Sequence, residues 1–199
     1  MSTEQQKSGV YIGSRGTDFK KLIIDVLNKG KLRKKYIKIL TDPSSMKIFG
    51  SAFTSELIDE ENNYQVYEQI GDLSGNKFIV SYMYRRFPQL MCSKGVKVVA
   101  RLRINYGAKN SFADIGRSLG FWPYISATNE LRQRKMKPLL EDVFEAFLGA
   151  IEFILDNRMI IGVGYSIVYD ILKSIFDDMD ISLKYEDLYD SKTRLKELF

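Results

Sequence analysis

Asp142-Val143-Phe144-Glu145-Ala146-Phe147-Leu148-Gly149-Ala150-Ile151 is the stretch whose reading decides the fold. Its apolar residues recur at helical spacing and extend on both sides, from Leu139 and Leu140 to Ile154. A helix that is apolar on nearly every face has to be buried. Asp142 and Glu145 nevertheless sit within it, three residues apart and on one face. An uncompensated buried carboxylate costs several kcal/mol, so these acids must face a partner, a cleft or a metal ion.

A second acidic stripe lies upstream. Residues 63–87 read as one long helix that ends before Pro88, with Glu68 and Asp72 one turn apart on one face. Gln65 and Asn76 extend that stripe. Gly71 and Gly75 on this helix, and Ala146 and Gly149 on the other, are small enough to let the two helices approach closely. Four carboxylates brought together repel, and one would protonate unless cations intervene. Hard divalent cations with oxygen ligands suit such a set, and they activate water and stabilise the leaving oxygen of a phosphodiester. Acids at these spacings also occur as solvated or salt-bridged helix positions, and spacing alone does not choose between the two.

The rest of the chain reads as helical. Apolar residues from Phe19 to Leu27 form a first amphipathic run. Thr41-Asp42-Pro43 marks a helix start, a capping residue followed by proline, with the helix running to about Glu56. Ser93 begins another to about Tyr106, and Asn110 or Ser111 opens a short one that Gly120 ends. Pro138 opens the second long helix, to about Asp156, and residues 162–177 form a further one. Val163 to Val168 is the best strand candidate, though its spacing also suits a helix. The expected architecture is all-α, a helical bundle around two long central helices that carry the acidic residues.

Composition narrows the chemistry. The chain has 199 residues, 45% hydrophobic and 28% charged, with a net charge of +5, which is compatible with nucleic acid. It contains no histidine and one cysteine. Cys/His zinc sites and histidine-based triads are therefore excluded. Cys92 is expected as a small buried hydrophobe. No apolar run reaches 18 residues, and residues 1–17 are polar without a signal-like apolar segment. A loose leader and an intracellular, reducing setting, cytoplasmic by preference, are expected.

The ordered blocks resemble the ribonuclease III family. Tyr67-Glu68-Gln69-Ile70-Gly71-Asp72 is similar to the family's signature, and Tyr84-Arg85-Arg86-Phe87-Pro88 to the end of its helix. Asp142-Val143-Phe144-Glu145-Ala146 with Gly149-Ala150-Ile151 is similar to the second acidic block. Residues 111–120 resemble the segment ending in Leu-Gly, and residues 190–198 the closing Lys-Thr-x-Leu-x-Glu helix. The resemblance divides the chain into residues 1–32, a flexible leader plus an N-terminal extension helix, and residues 33–199, an endonuclease domain of ribonuclease III type.

What the resemblance implies is specific. Glu68, Asp72, Asp142 and Glu145 become catalytic metal ligands for Mg²⁺, with Mn²⁺ as a substitute. The expected activity is metal-dependent cleavage of double-stranded RNA, by a homodimer, to 5′-phosphate and 3′-hydroxyl ends. The alternative is a non-catalytic relative that binds duplex RNA or serves as a structural subunit. Departures are present: Val66, Tyr67, Gln69 and Ile70 are unusual signature residues, Gln65 stands where a Glu is frequent, and Leu73 replaces a small residue. No segment resembles the family's C-terminal double-stranded-RNA-binding domain, so RNA affinity is expected from the catalytic domain, its extension or an auxiliary RNA-binding partner. Gln65, Arg132, Arg134, Lys135 and Lys137 are the expected RNA contacts. A second basic run, Lys29, Lys31, Arg33, Lys34, Lys35 and Lys38, reads equally as solvated surface charge. Tyr82, Tyr84, Phe144 and Phe147 are expected in the core.

Overall fold

The computed structural model describes residues 9–107 and 109–188. The first eight residues of the expected leader and the expected closing helix over 190–198 lie outside the described residues. The elements are β1 (Val10–Tyr11), α1 (Thr17–Lys29), α2 (Lys34–Leu40), α3 (Pro43–Ala52), α4 (Gln65–Arg86), α5 (Ser93–Gly107), α6 (Lys109–Ser118), β2 (Ala127–Thr128), α7 (Asn129–Arg134), α8 (Met136–Arg158), α9 (Val163–Asp177) and α10 (Tyr185–Leu188). The two long helices are α4 and α8, and α8 is the axis on which α2, α3, α4, α6, α7 and α9 pack.

Burial explains that position. α8 is buried on nearly every face from Leu139 to Leu155. Each fully buried large apolar side chain contributes about 1.5–3 kcal/mol relative to exposure. Phe144 and Phe147 anchor an aromatic network within it. Phe147 packs 5.5 Å from Phe49 and 5.3 Å from Phe121, centroid to centroid, while Phe121 lies 4.8 Å from Phe53 and Phe53 lies 5.1 Å from Phe19. This chain of rings joins α1 and α3 to α8. Tyr82, Phe144 and Phe147 are buried as expected, and Tyr84 is half-buried.

Helix ends follow local chemistry. Asp42 caps α3 by accepting the Ser45 N–H at 2.9 Å, with Pro43 in the first turn. Thr128 caps α7 by accepting the Leu131 N–H at 3.2 Å. Asp156 accepts the N–H groups of Gly162, at 2.9 Å, and Gly164, at 2.7 Å, and so satisfies the start of α9. Gly162 adopts φ +98°, a conformation glycine takes at least cost.

Four sequence expectations change. α3 stops at Ala52 instead of Glu56, because residues 53–55 turn aside to bond Ser126: its N–H donates to Phe53 O at 2.8 Å and its carbonyl accepts from Ser55 at 2.9 Å. α8 starts at Met136, before Pro138, which is tolerated because a proline in the first turn forfeits no intrahelical bond. A strand pair forms where none was expected, Val10–Tyr11 antiparallel to Ala127–Thr128 with Val10 opposite Thr128, while Val163–Val168 lies within α9, in keeping with the helix expected over 162–177. Cys92 is exposed at the turn into α5, its thiol 3.7 Å from the Gln89 carbonyl.

Residues 9–16 are not the loose leader that composition suggested. Beyond the β1–β2 pairing, Tyr11 donates to Pro123 O at 2.9 Å, and the Arg15 guanidinium reaches the carbonyls of Tyr124 (2.5 Å), Phe53 (3.0 Å) and Gly50 (3.2 Å). It also reaches the hydroxyls of Thr54 and Ser126, at 3.1 and 3.2 Å. One side chain thereby fastens the N-terminal segment to the end of α3 and to the loop before β2. Burial of its charged head pulls the Arg15 pKa down to about 10, where it still carries its charge at neutral pH.

The feature that positions the site is the crossing of α4 and α8. A β-carbon at Gly71 would stand 1.8 Å from the carbonyl oxygen of Glu145, and one at Gly149 would stand 1.8 Å from the carbonyl oxygen of Tyr67. The two backbones touch directly, as the small residues led us to expect. Gly149→Ala should therefore lower folding stability by about 3 kcal/mol, the upper end of overpacking costs, read as a fall in the urea midpoint. Gly50→Ala is the control: its nearest neighbour would be Arg15 at 3.6 Å, an ordinary contact within a helix, and a change within about 1 kcal/mol is expected.

Candidate active site

The crossing puts acids from both helices in one place. Glu68 lies in the first turn of α4, three residues before Gly71, and Asp142 and Glu145 lie on α8 just before Gly149. One carboxylate oxygen from each of Glu68, Asp142 and Glu145 lies within 4.8 Å of the others. Glu145 is only 5% exposed, while Glu68 and Asp142 are half-buried and open toward solvent. Asp72, the fourth acid, is outside that set. Its carboxylate accepts from Asn76 Nδ2 at 2.7 Å, one turn along the same helix.

The electrostatics reflect the crowding. Burial raises the Glu145 carboxyl, and the charges of Asp72, Glu141, Glu68 and Asp142 raise it further, to about 9. Asp72 is the first of these charges, so it stands beside Glu145 although its oxygens do not join the tight trio. In the protein without bound cation Glu145 thus keeps its proton at neutral pH.

Two site residues were not singled out from the sequence. Glu141 is buried beside Asp142 and acts on Glu145 one turn away. Tyr64, just before α4, is buried, and its hydroxyl donates to Asp142 Oδ2 at 3.3 Å. Burial first, then the charges of Asp142 and Glu56, push the phenol above its ordinary range, so it remains a donor. The signal available for both was spacing: Tyr64 precedes Glu68, and Glu141 precedes Glu145, by one helical turn.

The expected RNA contacts separate into two groups. Gln65 opens α4 and is exposed, its N–H held by Asn63 Oδ1 at 3.1 Å. Lys135 and Lys137 are exposed at the start of α8, and Arg134 is exposed in a 2.8 Å pair with Glu130. Arg132 is different. It donates to Ile125 O at 2.6 Å and its guanidinium lies 3.9 Å and 4.0 Å from the ring centroids of Trp122 and Tyr11. That guanidinium is engaged inside the fold, where it closes the loop before β2 over β1.

Residues 65–154, the span from the first acidic turn to the end of the apolar run, match the family described as Ribonuclease III domain. The chain is 48% identical over 201 residues to a protein bearing the ribonuclease 3 name in Invertebrate iridescent virus 6, covering 95% of this chain and 68% of that one. The chain belongs to the ribonuclease III family. A similarly named protein of Frog virus 3 is 44% identical over 169 residues, 84% of this chain and 45% of its own length. Ribonuclease 3 of Lactobacillus johnsonii is 33% identical over 65% of this chain and 57% of its own. The chain thus spans only about half the length of the latter two relatives. The fold agrees: the nuclease domain of ribonuclease III from Campylobacter jejuni superposes with a TM-score of 0.57 at 22% identity, covering 74% of this chain and 99% of that one.

In this ribonuclease III domain the raised Glu145 has a sign that can be checked. As pH rises from about 5 toward 9, the unfolded chain releases this proton while the folded chain keeps it, so the group's ionisation favours unfolding across that window. In EDTA the urea midpoint should fall over that range, and Glu145→Gln should flatten the fall. An equal slope in both proteins would contradict the raised carboxyl.

Proposed function

We propose that this chain is a divalent-metal-dependent endoribonuclease that cuts double-stranded RNA to 5′-phosphate and 3′-hydroxyl ends. The observation that carries the reading is the convergence of Glu68, Asp142 and Glu145 from two helices within 4.8 Å, in a chain of a family of endoribonucleases. The donor set fits a hard cation: it is all carboxylate oxygen, half-open to solvent, and so crowded that Glu145 retains its proton. Glu68, Asp142 and Glu145 would hold Mg²⁺ or Mn²⁺, with Asp72 adding charge from the next turn of α4. Such an ion activates water and stabilises the leaving oxygen of a phosphodiester.

The remaining tasks fall to the chain's own groups. Glu145 gives up its proton to become a ligand, which makes cation affinity rise with pH. Lys135 and Lys137, two turns or fewer before Asp142, provide positive charge for the phosphates that flank the scissile bond. Arg134 can join them, because an exposed pair such as that with Glu130 is worth under about 1 kcal/mol and is easily exchanged. Gln65 offers an amide to 2′-hydroxyls beside Glu68. Arg132 is left out, since its donors are used internally. Among the described residues no helix is long and apolar enough to cross a membrane.

A homodimer belongs to the same reading. Val66 and Leu73 stand 63% and 71% exposed on the outer face of α4, two turns apart, with Phe153 of α8 37% exposed nearby against Tyr67. Exposed apolar side chains in line on one helix mark an association surface. Campylobacter jejuni ribonuclease III is described with a region involved in dimer formation in its nuclease domain.

Two measurements decide the matter. With Mg²⁺ or Mn²⁺ the protein should cut a perfect RNA duplex and spare single strands. Glu145→Ala should lower cleavage by more than about 100-fold, since even an outer-shell loss costs 10–100-fold, while duplex binding by gel shift is kept. Duplex binding without turnover in either metal would favour a non-catalytic relative instead. In sedimentation, Leu73→Glu should shift the protein from dimer to monomer, and an unmoved dimer would place the interface elsewhere.

A further inference from the structure

Tyr64 occupies the junction of the two acid-bearing helices. Its hydroxyl donates to Asp142 Oδ2 at 3.3 Å. Its carbonyl accepts the N–H of Glu68 at 2.8 Å, in the first turn of α4, and its own N–H donates to Thr54 O at 2.9 Å. The residue is 6% exposed, so its ring has little room to swing. The side chain thus holds an acid of α8, the carbonyl closes the first turn of α4 that carries Glu68, and the N–H ties the residue to the segment just after α3.

The geometry points to Tyr64 as a positioning residue of the acid cluster, one that fixes Asp142 for cation binding; this rests on the metal-site reading above. Like charges on Glu68 and Asp142 favour rotamers that swing the carboxylates apart. A hydrogen bond to one Asp142 oxygen opposes that motion. A lysine or arginine would do the same but would cancel the negative charge a cation needs. The phenol is neutral, so it orients Asp142 and leaves the charge of the site intact. It takes one lone-pair position on one Asp142 oxygen, Oδ2. Partners of metal-ligating carboxylates act in this way, by restricting the ligand's orientation before the ion arrives.

The test is Mn²⁺ binding, followed by isothermal titration with the full chain and without RNA. Tyr64→Phe keeps the buried ring and removes only the hydroxyl. Its Mn²⁺ affinity should fall about tenfold, with the urea midpoint close to that of wild type. In an Asp142→Asn background, Tyr64→Phe should have no further effect on Mn²⁺ affinity, because its target carboxylate is gone. Equal Mn²⁺ affinity in wild type and Tyr64→Phe would overturn the positioning role and leave the metal site standing. The same tenfold loss in the Asp142→Asn background would also overturn it, by showing that the hydroxyl acts elsewhere. No Mn²⁺ binding by wild type would overturn the metal-site reading, and the positioning role with it.

Discussion

The direct backbone contact between α4 and α8 is the constraint on which the rest of the structure depends. Gly71 meets the carbonyl of Glu145, the residue that carries the most buried carboxylate, and Gly149 meets the carbonyl of Tyr67, the neighbour of Glu68. The crossing point and the acid cluster are therefore the same place. Helices spaced by ordinary side chains lie about 8–10 Å apart axis to axis. Glycine on both sides removes the spacer, and only then can short carboxylate side chains from two helices meet. Alanine, a better helix former by about 1 kcal/mol, is excluded here because close approach outweighs intrinsic propensity.

That proximity is electrostatically unfavourable, and the fold carries the cost. Glu141 and Glu145 are both buried, and Glu145 holds its proton well above the ordinary carboxylate range. Apolar burial along α8 supplies the offset: Leu139, Leu140, Val143, Phe144, Phe147, Leu148 and Ile151 are each at most 1% exposed. At about 1.5–3 kcal/mol for each such side chain, this exceeds the several kcal/mol that a pair of buried carboxyl groups costs. The strongly apolar character of this helix and the acids within it are thus two sides of one requirement. Sites organised for function in this way commonly sit below the stability optimum of their fold.

Much of this was readable in the sequence, and the physics says why. Asp142 and Glu145 stood out because charged residues in an apolar helix violate its period, and Gly71 and Gly149 because small residues recurred beside them. The Asp42-Pro43 start was readable because capping is local. What escaped notice was non-local. The β1–β2 pairing joins residues more than a hundred positions apart through only two residues each, too short for any alternation to register. Arg132 read as an RNA contact and Arg15 carried no signal, since a guanidinium bonded to distant carbonyls leaves no mark on its neighbours. Cys92 followed the usual preference of its type for burial, and the turn into α5 overrode it. Asp72 was grouped with the other acids by spacing; its Oδ1 accepts from Asn76, and it acts on Glu145 as a neighbouring charge from outside the tight trio.

The division between readable and unreadable parts coincides with a division of labour. The segment that matches the family, 65–154, contains the acids and the crossing, where only particular residue types satisfy the chemistry. The segment before it supports the site mainly through main-chain groups. Arg15 grips the carbonyls of Phe53 and Gly50 and the hydroxyl of Thr54, and the Thr54 carbonyl receives the N–H of Tyr64. Tyr64 in turn reaches Asp142 through its hydroxyl and Glu68 through its carbonyl. Any residue offers a carbonyl, so such a brace constrains chain path and little else. Its few specific side chains, Arg15 and Tyr64, are where the support becomes dependent on sequence. The acid cluster is thus held from two directions: by glycine contact between its own helices, and by a hydrogen-bonded path from the N-terminal segment.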